Sequence, residues 1–164
     1  MKYLYLVRHA KAEKSTTRQR DYDRTLVISG VGDAHKMGRK LMDLAVNPDL
    51  LISSSAIRAK QTTELIAEHL KYKPSRIVYD EEIYESSVRT LLMFINELED
   101  KYRNVMIVGH DPTTSYMAEH LTKEEIGNFP TCGVVKIRFD ITTWKEVSPG
   151  MGSLEWFEYP DSEE

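Results

Sequence analysis

Tyr3-Leu4-Tyr5-Leu6-Val7, followed at once by Arg8-His9-Ala10, is the stretch that decides the fold. An unbroken apolar run this short suits a strand covered on both faces, the kind found in a parallel sheet. The charged pair after it stands at the strand's carboxyl end. In open α/β sheets that is the edge where ligands bind. The pattern recurs twice. Asp49 to Ile52 runs into Ser53-Ser54-Ser55 and Arg58, and Val105 to Val108 runs into Gly109-His110-Asp111.

Helical spacing fills the segments between. Val31, Ala34, Met37, Gly38, Leu41, Met42 and Ala45 form one stripe, which Asn47-Pro48 is expected to close. Ser53 to Ser55 offer N-caps for a helix carrying Ala56, Ala59, Thr63, Ile66, Ala67 and Leu70. Arg76 to Tyr79 reads as a third strand, and Val88, Leu91, Leu92, Ile95 and Leu98 as a further helix. Asp111-Pro112 reads as an N-cap followed by proline at the first helical position, with Met117, Ala118 and Leu121 continuing that helix. Val134 to Phe139 and Leu154 to Phe157 read as closing antiparallel strands. The alternation predicts a three-layer α/β/α sandwich around a mostly parallel sheet. Residues 9–28 are polar and read as a long, functional loop.

Composition narrows the class. The length of 164 residues fits one domain, expected over 1–160 with a frayed acidic tail at 161–164. A net charge of −4 excludes the basic footprint of a nucleic-acid binder. The single cysteine, Cys132, excludes an intrachain disulfide and a cysteine zinc cluster. No apolar run is long enough for a signal-peptide core or a membrane span, so the expected location is the cytoplasm.

Two arginines and two histidines at one sheet edge make an anion site. Arginine presents a planar fork that matches phosphate oxygens, and a neutral imidazole is a competent nucleophile. Arg8, Arg58 and a protonated His110 can supply the charge that phosphoryl transfer needs, with no metal or other cofactor. Arg58 is expected in a helix's first turn, where a cation opposes the helix dipole, so something anionic should sit near it.

These residues resemble a known family. Leu6-Val7-Arg8-His9-Ala10 resembles the arginine–histidine–glycine signature of the histidine phosphatase superfamily. Leu51 to Thr62 resembles its second block, and Val108-Gly109-His110-Asp111-Pro112 its late histidine block. Within it the chain is most similar to SixA-like phosphohistidine phosphatases. Arg8 to Ala12, Asp21 to Leu26 with Gly30, Ile83-Tyr84-Glu85 and Gly152 to Phe157 carry that likeness.

The resemblance implies a phosphoglycerate mutase-like fold and a division of labour. His9 attacks phosphorus and is phosphorylated, Arg8 and Arg58 hold the phosphoryl oxygens, and His110 donates to them. Glu85 matches the place of an acidic proton donor in mutase-like members. Ser15 and Arg24 are further phosphate-side candidates, Arg24 as support for the pocket floor or the loop. Ala10 replaces the family's usual glycine and would be strained if its φ were positive.

The implied substrate is a phosphohistidine on a partner protein. Small phosphate esters or sugar phosphates, and a non-catalytic phosphate-binding module, are the alternatives. Against these roles, His35, His69 and His120 read as surface or half-buried helix residues, and Tyr84, Trp144 and Trp156 as packing.

Overall fold

Strands Lys2–Arg8 (β1), Leu50–Ser54 (β2), Val78–Asp80 (β3), Asn104–Gly109 (β4), Val134–Phe139 (β5) and Ser153–Glu158 (β6) form one sheet in the order β3-β2-β4-β1-β5-β6. This computed structural model describes residues 1–161, so Ser162, Glu163 and Glu164 of the expected tail lie outside the described residues. β1, β2, β3 and β4 pair in parallel, while β5 runs antiparallel to both β1 and β6. The helices are Ile28–Asp43 (α1), Ile57–Leu70 (α2), Glu81–Tyr84 (α3), Val88–Asn96 (α4) and Thr113–Thr122 (α5).

The period of two along each strand divides the core. Leu4 and Leu6 of β1 face one way and join Ile52, Val105, Ile107, Val135 and Ile137 beneath α4 and α5. Tyr5 and Val7 face the other way and join Leu51, Met106 and Val108 beneath α1 and α2. Both faces of the central strands are therefore covered, which is why β1 and β4 read as continuous apolar runs. Each fully buried Leu or Ile contributes about 1.5–3 kcal/mol relative to an exposed one. Trp144 is wholly buried in the first core, and Trp156 is packed against the second.

All six expected strands form, and several boundaries move. α1 ends at Asp43, ahead of Asn47-Pro48, because Ala45 takes a left-handed φ of 60° and turns the chain. β3 begins at Val78, since Pro74–Arg76 winds into a 3-10 turn. Ser53 and Ser54 belong to β2, and the N-cap of α2 is Ala56, which makes no side-chain cap. α5 begins at Thr113 with Pro112 as its cap, while the Asp111 carboxylate accepts from the Ser115 N–H at 3.1 Å. The short helix α3 has no counterpart in the sequence reading. Its cap is Asp80, whose carboxylate accepts from the Glu82 N–H at 2.9 Å.

The parallel register aligns the site. Arg8 pairs with Gly109, and Ser53 with Val108, so β1, β2 and β4 end at one level. The 9–27 segment is a tethered excursion from that edge. Ala12 bridges Leu26, the Glu13 N–H donates to Thr25 O, and the Val27 N–H donates to Lys11 O. Gly30 is needed beneath it, because a Cβ there would lie 2.2 Å from Lys11 O.

Candidate active site

His9 sits where β1 leaves the sheet. Its N–H donates to Gly109 O at 3.1 Å, and its carbonyl accepts from the Cys132 N–H at 3.0 Å. Ala10 follows in a wholly buried position, with its N–H donating to Thr62 Oγ1 at 2.9 Å. Among the described residues the positive-φ residues other than glycine are Ala45, Lys71, Lys123 and Cys132, so Ala10 carries no such strain. The Thr62 hydroxyl in turn donates to Arg58 O at 2.8 Å. Thr62 thus ties the turn after His9 to the helix that carries Arg58.

The two ring nitrogens of His9 have different partners. Nδ1 lies 2.7 Å from Ala10 O, which only an N–H can satisfy, so Nδ1 carries the proton. Nε2 accepts from Arg58 Nε–H at 3.3 Å. His9 is 8% exposed. Burial pushes its pKa down to about 4, and the nearby Arg58, Arg8 and Arg24 cations push the same way against the Ala10 hydrogen bond. His9 is therefore neutral near pH 7, with the Nε2 lone pair facing Arg58.

Arg58 is 4% exposed. A buried guanidinium needs partners. Asp21 supplies both, its carbonyl accepting from Nη1 at 2.7 Å and its carboxylate from Nη2 at 2.9 Å. The anion expected beside Arg58 is thus a side chain of the 9–27 loop, one not singled out for the site from sequence. Burial would raise the Asp21 pKa, but hydrogen bonds from Tyr84 and Arg58, the Arg58 charge and Arg24 bring it down to about 2. Arg24 Nε donates to Asp21 Oδ1 at 2.9 Å and its Nη1 to Glu13 O at 2.7 Å, so it braces the loop. The Tyr84 hydroxyl donates to Asp21 Oδ2 at 2.8 Å. Tyr84 also stands edge-on to His110, ring centres 5.4 Å apart, so it belongs to the site and not to packing alone.

His110 closes the floor, its ring centre 5.1 Å from that of His9. Its Nε2 and the Ser54 hydroxyl are hydrogen-bond partners at 2.7 Å, and Ser54 Oγ also accepts from the Ala56 N–H at 3.1 Å. His110 Nδ1 and Arg8 Nε are buried without a protein partner, while Arg8 Nη1 donates to Phe129 O at 2.7 Å. Unpartnered buried polar atoms are rare and call for an explanation. Both belong to side chains beside His9, His110 by its ring contact and Arg8 by the charge it exerts on His9. Burial, then the interaction with His9 and the Arg58 charge, push His110 down to about 3. The protonated His110 expected from sequence is therefore disfavoured by the protein alone. A phosphoryl dianion, by opposite charge, would draw the proton in.

The remaining candidates lie further out. Glu85 is exposed and lines a groove of about 440 Å³ together with Arg20, Asp21, Tyr22, Glu81 and Tyr84. Ser15 is exposed on the outer leg of the loop and makes no hydrogen bond among the described residues. His35 and His69 pair with each other at 3.0 Å between α1 and α2, apart from this chemistry. Asp21, Ser54, Thr62 and Tyr84 are the site residues that the motifs contained but that were not singled out as functional. The signals were present: Asp21 and Tyr84 as polar residues in a loop and after a strand, Ser54 and Thr62 within the Arg58 block.

Known proteins share this architecture. Residues 4–91 match the family model of the histidine phosphatase superfamily (branch 1). An uncharacterised protein of Mycobacterium tuberculosis is 32% identical over 150 residues, which are 85% of this chain and 91% of that protein. The crystal structure of a protein assigned as phosphohistidine phosphatase SixA, from Agrobacterium tumefaciens, superposes with a TM-score of 0.83 at 30% identity, covering 97% of this chain and 98% of that one. A protein histidine phosphatase SixA complexed with tungstate shares the fold, with a TM-score of 0.82 at 22% identity over 96% of this chain and 97% of that one.

Proposed function

Because the chain belongs to the histidine phosphatase superfamily and is SixA-like, we propose that it is a phosphatase working through a covalent phosphohistidine on His9, with phosphohistidine in a partner protein as its substrate. The observation that carries the reading is the state of His9: Nδ1–H fixed on Ala10 O, Nε2 unprotonated beside Arg58.

The steps follow from those atoms. The Nε2 lone pair attacks phosphorus as the bond from phosphorus to the substrate's nitrogen breaks. Arg58 Nε–H, released from Nε2, passes to a phosphoryl oxygen. Arg8 Nε and His110 Nδ1 supply the other donors, so two guanidiniums and an imidazole carry the charge for which other phosphatases use metals. The leaving imidazole takes a proton from water or from Glu85 at the groove. Water then attacks the phosphoenzyme, the bond from phosphorus to Nε2 breaks, and inorganic phosphate departs with His9 neutral again. An imidazole leaves readily, which makes a strong acid at Glu85 dispensable. Residues 1–160 act as one domain on this reading, and the lone cysteine, buried Cys132, suits a cytoplasmic setting.

The test is labelling with phosphoramidate. The protein should form an acid-labile, alkali-stable phosphoenzyme that is absent from His9→Ala, and should release phosphate from a histidine-phosphorylated protein. A label that persists in His9→Ala would exclude the mechanism. Turnover of small phosphoesters alone would move the substrate to that class, and binding without turnover would make the chain a phosphate-binding module.

A further inference from the structure

Arg8 and Arg58 are held by different kinds of partner. Arg58 gives Nη2 to the Asp21 carboxylate, whose charge opposes its own. Arg8 makes no ion pair among the described residues. Its Nη1 donates instead to a backbone carbonyl, Phe129 O, at 2.7 Å, and its Nε is buried without a protein partner. A carbonyl fixes a guanidinium without cancelling its charge.

That carbonyl opens a turn that also grips the main chain of Arg8 and His9. The Arg8 N–H donates to Gly133 O and the Cys132 N–H to His9 O, both at 3.0 Å. The Gly133 N–H donates to Pro130 O at 3.0 Å, and Cys132 alone of the two central residues has a positive φ, 62°, which makes 130–133 a type II turn. Glycine is the usual residue at that third position. Cysteine holds it here, wholly buried in the core that contains Ala10 and Val134. Phe129 is buried in the other core, its ring centre 5.0 Å from that of Phe157. The turn thus wraps the end of β1 and is anchored on both faces of the sheet.

The direction of the Phe129 carbonyl is set twice. A residue before proline is pressed toward extended backbone, and Pro130 follows Phe129. The Phe129 ring is also seated against Gly133, where a Cβ would lie 2.9 Å from ring Cε1 and 2.9 Å from Pro130 O. We propose that the 129–133 turn positions Arg8 for the phosphoryl group, with Phe129 as the positioning residue. Its carbonyl holds Nη1 and leaves Nε, with an unmatched charge, for the dianion. The inference rests on the phosphatase reading and adds a division between the two arginines. Arg58 is matched by Asp21, whereas Arg8 supplies the net charge that binds the anion.

The test reads inorganic phosphate as a competitive inhibitor while the enzyme hydrolyses a neutral peptide with one phosphohistidine, made with phosphoramidate. Arg8→Ala should raise the inhibition constant about 10- to 100-fold, the range for a hydrogen bond to a charged group. Pro130→Ala frees the Phe129 backbone and should raise it about threefold, and Gly133→Ala displaces the ring and should raise it about tenfold. In an Arg8→Ala background neither change should add anything, because each acts through Arg8. Urea unfolding should confirm the fold of each variant, and if Gly133→Ala does not fold, Pro130→Ala alone decides. Turn variants that bind phosphate as the wild type does, or that cost as much without Arg8 as with it, would overturn the positioning role. So would an unchanged constant in Arg8→Ala while phosphoramidate still labels His9, and the phosphatase would then stand without it. If phosphoramidate does not label His9 in the wild type, the phosphatase reading fails, and this role with it.

Discussion

The floor and the rim of the site are built by different means. On the floor, Arg8, His9, Ser54, Arg58 and His110 leave the ends of β1, β2 and β4 or the first turn of α2 and are buried or half-buried. Their positions follow from sheet register, and their protonation from burial. On the rim, Lys14, Arg18, Glu81 and Glu82 stand exposed on a loop and a single helical turn. A charge on the floor is fixed and poorly screened, whereas a charge on the rim is mobile and screened by salt. On the proposed mechanism the chemical step belongs to the floor, and the exposed rim charges take no part in it.

The largest effect should come from Arg58. Its Nε–H donates to His9 Nε2, and on the proposed mechanism it then passes to a phosphoryl oxygen. Arg58→Ala should lower kcat/KM by about 10³-fold on any phosphorylated substrate, large or small. Steady-state kinetics on the neutral phosphohistidine peptide and on phenyl phosphate would check this. A rim variant that cost as much on phenyl phosphate would break the comparison.

Asp21 stands on the boundary, a loop residue that fixes a floor residue. Asp21→Asn keeps an oxygen for Arg58 but removes the charge that orients it. A misplaced catalytic group costs up to about 10²-fold, so the loss should be smaller than for Arg58→Ala. Adding Asp21→Asn to Arg58→Ala should cost almost nothing more, because the two act as a unit. Independent losses that multiply would mean that Asp21 has a role of its own.

The buried histidines set a pH dependence of stability. His9 is lowered to about 4 and His110 to about 3, against 6.5 for an unfolded histidine. Between those values the unfolded chain binds more protons, so stability is full above pH 6.5 and falls as pH drops through the folded pKa values. Urea unfolding should show about 2–4 kcal/mol less stability at pH 5 than at pH 7. His110→Gln should weaken that slope, and a slope left unchanged would mean that His110 is not held neutral.

How much of this was legible follows the same division. β1, β2 and β4 were readable because both of their faces are buried, so their apolar runs are unbroken and the residues after them stand out. Arg8, His9, Arg58 and His110 were singled out by that route, and the fold brings them together at one sheet edge. Asp21 was not, because its role depends on where a loop returns, and a polar loop has no periodicity to read. The anion that Arg58 required was anticipated, but its identity needed the fold. α3 was missed because a single turn between a strand and Ser86-Ser87 is shorter than any helical repeat. With it went the site role of Tyr84. The Ser53 to Ser55 run looked like caps because serine favours them, yet register places Ser54 inside β2, facing His110.

Ser54 offers the finest test of the floor. The Ser54 hydroxyl and His110 Nε2 are partners at 2.7 Å, and this leaves Nδ1 as the nitrogen that can face the phosphoryl group. Ser54 touches no reacting atom, so it is a positioning residue, and its removal should cost far less than the loss of His110. Ser54→Ala should lower kcat by about three- to tenfold, in line with the loss of one neutral hydrogen bond. KM should change little, because Arg8 and Arg58 still bind the dianion. The acid limb of the pH profile should move, since that bond helps set which nitrogen of His110 carries the proton, and Ser54→Thr should restore both readouts. If Ser54→Ala costs as much as His110→Ala, the hydroxyl acts on the substrate directly. If it changes neither kcat nor the acid limb, His110 is oriented by its packing against His9 and Tyr84 alone.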